Sequence, residues 1–265
     1  MVLLNMTPSN NIHMAIHLSK KVSFMNLIYR KIYPSKLILM KFALFISIFI
    51  AALVFSQMTL AQEVGKVVRA SGDPTATSAS NQTRKLSRDD GVSVGDTIIC
   101  GEGCQVMVRM KDNSTTLVRA KSKIKIDEFK FDKQPTDAAK TTLLAGTMRA
   151  VSGQIGKGQP ENVKYEAGAA TIGIRGTDIE VAIIPDGEKD RAGIYNYVYD
   201  GETLMALNTG ESSPVEKELT GFAPAVLLPG EKRLQILRDR PAFLQSGGFD
   251  ALMNQLTAPR IPVMR

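Results

Sequence analysis

The sequence predicts an all-β protein, a single domain of short strands arranged as a solenoid or a sandwich with a short C-terminal helix, and three observations carry that expectation. All 21 glycines lie beyond residue 61. Apolar and polar residues alternate there in short runs, the period that puts successive side chains on opposite faces of a strand. The pairs and triplets Asp90-Gly91, Gly101-Glu102-Gly103, Asp112-Asn113-Ser114, Asp186-Gly187 and Asp200-Gly201 punctuate those runs with the residues that tight turns require.

Taken in order, residues 1–39 contain no glycine and no acid, and read as a basic leader or as the product of a start codon placed too far upstream. Residues 40–61 read as a secretory signal: Lys41, an uncharged run, then Thr59-Leu60-Ala61 with small residues placed for cleavage after Ala61. The same run, 42–60, is nearly long enough for a membrane span, so a retained anchor is the alternative. Residues 1–61 also hold six Lys or Arg and no Asp or Glu, so they carry +6 of the formal +7. The remaining domain is close to neutral and lacks the clustered cations that polyanion binding needs, which argues against nucleic acid as a partner.

Strands are expected at 66–70, 93–100, 105–110, 115–120 and 123–127; in 105–110 the valines and Met110 share one face, and in 123–127 the isoleucines do so against charged neighbours. A polar loop is expected around Pro135, a strand at 141–151 and a flexible loop at 153–162. Further strands are expected at 163–166, 171–184, 193–199, 203–207, 225–228 and 233–237. This β domain spans residues 62–240. Within residues 241–265, Phe249, Leu252, Met253 and Leu256 are spaced for one face of a short helix before a proline-containing tail.

Cys100 and Cys104 flank Gly101-Glu102-Gly103, and in an oxidising compartment a pair so placed is expected to close a disulfide across a hairpin mouth. A redox or metal role would need a two-residue spacing or further ligands. In 169–183 the apolar alternation changes phase: Ile172 and Ile174 are even-numbered, Ile179, Val181 and Ile183 odd. One inserted residue, a β-bulge with Gly176 as its natural site, would keep both sets on one buried face and turn Arg175 and Thr177 out of the regular pleat. Arg175 there is suited to grip a carboxylate or to cap backbone carbonyls. Tyr195, Tyr197 and Tyr199 fall on one face of a strand, as a binding surface or as packing over one end of the core.

Both histidines, His13 and His17, precede residue 62. The β domain therefore lacks the imidazole that a Ser/His/Asp triad, a Cys/His pair or a histidine metal site would use. Paired carboxylates such as Asp127-Glu128 remain the one hydrolytic option, and they read as ordinary solvated charges. No enzyme activity, cofactor or metal is expected.

The Ile174-Arg175-Gly176-Thr177 sequence resembles the signature of the FecR domain family. Val94-Gly95-Asp96-Thr97-Ile98 with Gly101, then Asp112-Asn113-Ser114, and Leu144-Ala145-Gly146-Thr147-Met148-Arg149 follow in the order of that family's earlier motifs, so the resemblance covers roughly 65–207. Asp178 departs from the apolar residue the family often has there. The resemblance implies an all-β, solenoid-like domain without catalysis that serves in envelope sensing or signal transduction. The reading for this chain is a periplasmic or secreted module binding an envelope protein or cell-wall component. It would meet the membrane only through an uncleaved signal segment. The alternative is a membrane-anchored signal transducer of the sigma-regulator type that retains a helix at 42–60.

Overall fold

The computed structural model describes residues 62–244, which belong to one compact unit. The leader, the signal segment with its cleavage site, and the amphipathic spacing at 249–256 lie outside the described residues. Fifteen strands are connected in one sheet. They are β1 (Glu63–Ser71), β2 (Thr75–Thr77), β3 (Thr83–Lys85), β4 (Gly91–Ser93), β5 (Thr97–Cys100), β6 (Gln105–Met110), β7 (Thr115–Val118), β8 (Ser122–Lys130) and β9 (Ala138–Val151). A short helix α1 (Gln154–Gly158) and a 3-10 turn (Pro160–Asn162) precede β10 (Val163–Ala167), β11 (Ala170–Ile184), β12 (Gly193–Leu207), β13 (Ser212–Glu216), β14 (Thr220–Pro224) and β15 (Gln235–Leu237). A second 3-10 turn, Ala242–Leu244, closes the described chain.

The pairings resolve the choice between solenoid and sandwich in favour of two layers. In the first layer the order is β3, β2, β5, β8, the first half of β9, β10, the first half of β11, the second half of β12, and β13. In the second it is β4, β1, β6, β7, the second half of β9, the second half of β11, the first half of β12, β14 and β15. The three long strands thus run through both layers. Ile98, Ile124, Leu143, Ile172 and Met205 from the first meet Val67, Val106, Val118, Met148, Ile179 and Val198 from the second in one apolar core. Burying such side chains fully is worth roughly 1.5–3 kcal/mol each, which is what holds the layers together.

A strand that changes layers must bend, and each long strand carries a positive-φ glycine at its crossing: Gly146 in β9, Gly176 in β11 and Gly201 in β12. At Gly201 (φ +80°) a β-carbon would sit 2.7 Å from the Gly176 carbonyl oxygen, so both the conformation and the close approach exclude a side chain.

Several sequence expectations are corrected. Asp200-Gly201 is not a turn between two strands, because β12 runs unbroken through it as a bend. The stretch 225–228 is irregular, and the strand there is β14, four to five residues earlier. The expected loop 153–162 contains α1, because Ile155 buries its side chain in the core. β5 and β6 do not form a hairpin: β5 pairs with β2 and β8, β6 with β1 and β7. The Cys100–Cys104 disulfide forms, with Cα atoms 5.3 Å apart, but it closes the corner where the chain passes between layers.

The corner around Arg175 and the buried outer face

The β11 bulge sits where expected. Between Arg175 and Asp178 the strand advances three residues while β12 advances two, and Ile172, Ile174, Ile179 and Val181 all enter the same core. Gly176 (φ +61°) has open space around it, so only its backbone angle calls for glycine. Thr177 is buried and pinned: its N–H donates to Ser152 Oγ at 2.8 Å, and its carbonyl accepts from Ser152 N–H and Oγ, both at 2.9 Å.

The same corner draws in the Asp112 turn. Gln154 N–H donates to the Asp112 carbonyl at 2.8 Å, and the buried Asp112 carboxylate accepts from Ser114 Oγ at 2.6 Å and Ser114 N–H at 3.0 Å. At Gly153 a β-carbon would meet Asp112 Oδ2 at 2.4 Å, so turn and bulge close on one another through the Ser152-Gly153 pair. Asp96 is likewise internal, buried and gripped by Arg84 through Nη2 at 2.6 Å and Nη1 at 3.2 Å. Arg149 is 3% exposed and clamps Asp178 through Nε at 2.9 Å and Nη2 at 2.7 Å. The polar residues at these motifs are therefore fasteners.

Arg175 is different. It is exposed on the outer surface of the first layer, with no hydrogen bond or ion pair to a described residue. It borders a shallow open groove with Lys164, Thr171, Glu202 and Leu204, whose floor at Gly173 is bare backbone. The groove can seat an extended segment and offers a planar guanidinium for bidentate contact with a carboxylate.

The tyrosines line the outer face of the second layer, and that face is covered. Tyr195 and Tyr197 are buried with Ala182, Phe222 and Leu244, and Tyr199 and Phe243 pack against them. Tyr195 stacks on Phe222 at 4.3 Å and meets Phe243 edge-on at 5.0 Å. They form a second core where a solvent-facing surface was one of the two expectations.

Beneath this cover lies a residue that sequence reasoning missed. Glu180 alternates with apolar neighbours and reads as solvent-facing, yet it is fully buried. Its Oε1 accepts from Arg119 at 2.8 Å, and its Oε2 lies 2.7 Å from the Tyr199 hydroxyl. Burial pushes its carboxyl up from the ordinary range, against the opposing pull of Tyr199 and the Arg119 and Arg149 charges. The tyrosine stripe on the paired strand was the only hint that this face is a second interior. Of the Asp127-Glu128 pair named for hydrolysis, Asp127 is tied up in an ion pair with Lys125 at 2.8 Å. Among the described residues no cluster of three His, Cys, Asp or Glu is placed to hold a metal ion.

With this geometry in view, residues 96–202 match the family model described as FecR protein. No curated protein matches the chain. Among solved structures, two crystal structures of a candidate anti-sigma factor from Parabacteroides distasonis ATCC 8503 align over 54% of this chain. Their identities are 10% and 9% and their TM-scores 0.42 and 0.40. The chain spans 59% of the length of each. A cell surface anchoring domain aligns over 23% of this chain and 82% of its own, at 22% identity and a TM-score of 0.23.

Proposed function

We propose that this protein, whose residues 96–202 match the FecR protein family model, is a non-enzymatic sensing or interaction module of the cell envelope, exported through the segment at 40–61. On this reading it binds a carboxylate-bearing envelope component in the groove beside Arg175. The observation that carries the reading is the contrast at the bulge: Thr177, Asp112, Asp96 and Arg149 are tied internally, while Arg175 stands in solvent over an open groove. An exposed arginine on a strand locked from beneath is a rigid presentation suited to recognition.

The test is a photo-cross-linker in place of Leu204, 51% exposed on the groove wall, in protein expressed in its own cell envelope. The expected result is one dominant adduct that Arg175→Glu removes and Lys189→Glu, in the β11–β12 turn, leaves in place. Equal labelling in all three proteins would refute the proposed site.

A further inference from the structure

We propose that the groove beside Arg175 takes an extended, singly acidic peptide segment of a partner protein, one apolar side chain of which enters a slot over Gly173 while a carboxylate two residues away meets Arg175. This names the class of partner for the carboxylate-binding reading above and rests on it. Gly173 lies on the outer face of β11, because its neighbours Ile172 and Ile174 enter the core. In register it stands between Lys164 of β10 and Leu204 of β12, both exposed. Those two strands are about 10 Å apart across β11, and the glycine leaves the space between their side chains empty. Nothing in the fold asks for glycine there. Its φ is not positive, and a β-carbon would meet only the Leu204 carbonyl oxygen, at 3.9 Å. Among the described residues, every other glycine within a strand either has a positive φ or has an atom within 2.8 Å of where its β-carbon would sit. A glycine inside a strand weakens the sheet, and where neither conformation nor packing requires it, its use is close approach by a ligand or another backbone.

The rest of the groove selects a peptide. Among the described residues no aromatic ring lines it, so a sugar finds no face to stack on. Thr171, Gly173 and Arg175 follow one another on the outer face of β11 at every second residue, about 7 Å apart. An extended peptide laid along the strand has the same repeat, so a side chain that fills the slot brings the one two residues away over Arg175. Leu204 and the aliphatic stem of Lys164 give the inserted side chain apolar walls. The Lys164 ammonium adds a second cation beside Arg175, whereas Glu161 and Glu202 also line the groove. That balance favours a segment with one carboxylate, because the two glutamates repel the further charges of a polyacidic chain.

The test screens a displayed library of random seven-residue peptides against the full chain and two variants, Gly173→Val and Arg175→Glu. Valine suits a strand and fills the slot without removing Arg175, and thermal unfolding at or above the wild-type temperature verifies that this variant is folded. The inference expects the wild type to enrich peptides with a large apolar residue two positions from a single Asp or Glu. Both variants should bind those peptides at least about tenfold more weakly. Acidic peptides that need Arg175 but bind the Gly173→Val protein equally well would overturn the inference and leave the proposed site standing. Absence of enrichment would also overturn it, leaving the groove to a carboxylate that is not on a peptide. Enrichment indifferent to both substitutions would overturn the inference and the proposed site together.

Discussion

Glu180 and Gly201 show how single residues hold this fold. Glu180 is a buried acid whose folded pKa is raised, so the folded protein binds its proton more tightly than the unfolded chain does. Stability due to this group is therefore fully present below the unfolded value near 4.5 and declines as pH rises through the higher folded value. In denaturant titrations across mildly acidic to neutral pH, Glu180→Gln is expected to escape that decline. The difference in unfolding free energy between wild type and variant should move against the wild type as pH rises. A difference that stays constant with pH would contradict the assignment. At the β12 bend, Gly201→Ala meets both a left-handed backbone and the Gly176 carbonyl, and is expected to cost about 3 kcal/mol. Gly176→Ala, with open space around it, should cost only about 1 kcal/mol. Chemical denaturation of the two variants measures the gap, and equal costs would show that the close approach at Gly201 relaxes freely.

At the scale of elements, one device recurs three times: a long strand passes from one layer to the other and its inward-facing set shifts by one residue. In β9 the shift separates Leu143 from Met148, in β11 Ile174 from Ile179, and in β12 Val198 from Met205. Only the middle case was legible in the sequence, because Ile172, Ile174, Ile179, Val181 and Ile183 are all strongly apolar and mark the phase on either side of Gly176. In β12 the inward set includes the buried polar Asn196 and Thr203, hydrogen-bonded to each other at 2.7 Å, so the pattern breaks and Asp200-Gly201 imitates a turn. β2, β3 and β13 are three to five residues long and carry too few periods to register. The disulfide was readable from cysteine spacing, its place between layers was not, because which strands pair across a turn is a tertiary property. Its loop is short, so replacing both cysteines by alanine is expected to cost about 2 kcal/mol and leave the fold in place. Thermal unfolding checks this, and failure to fold would mean that the corner directs layer assembly.

For the whole molecule, the sheet has two kinds of surface. The outer face of the second layer is an interior, built from the tyrosine cluster, the Glu180 network and the Met107–Leu117 cluster. The outer face of the first layer around β10, β11 and β12 presents Arg175 over an open groove. The sequence made the domain's β class and its bulge readable. It could not tell the two faces apart, because the groups around Glu180 arrive from elements distant in the chain: Arg119 pairs with it, and the carbonyls of Phe243 and Leu244 in turn hold Arg119 and the Tyr199 hydroxyl. In the proposed function, recognition takes place at the open face alone. The most direct measurement is the affinity of the purified Leu204-adduct partner for the native protein and for Arg175→Glu, at matched thermal stability. Loss of a paired guanidinium predicts at least about a tenfold weaker complex. Unchanged affinity would contradict recognition through Arg175.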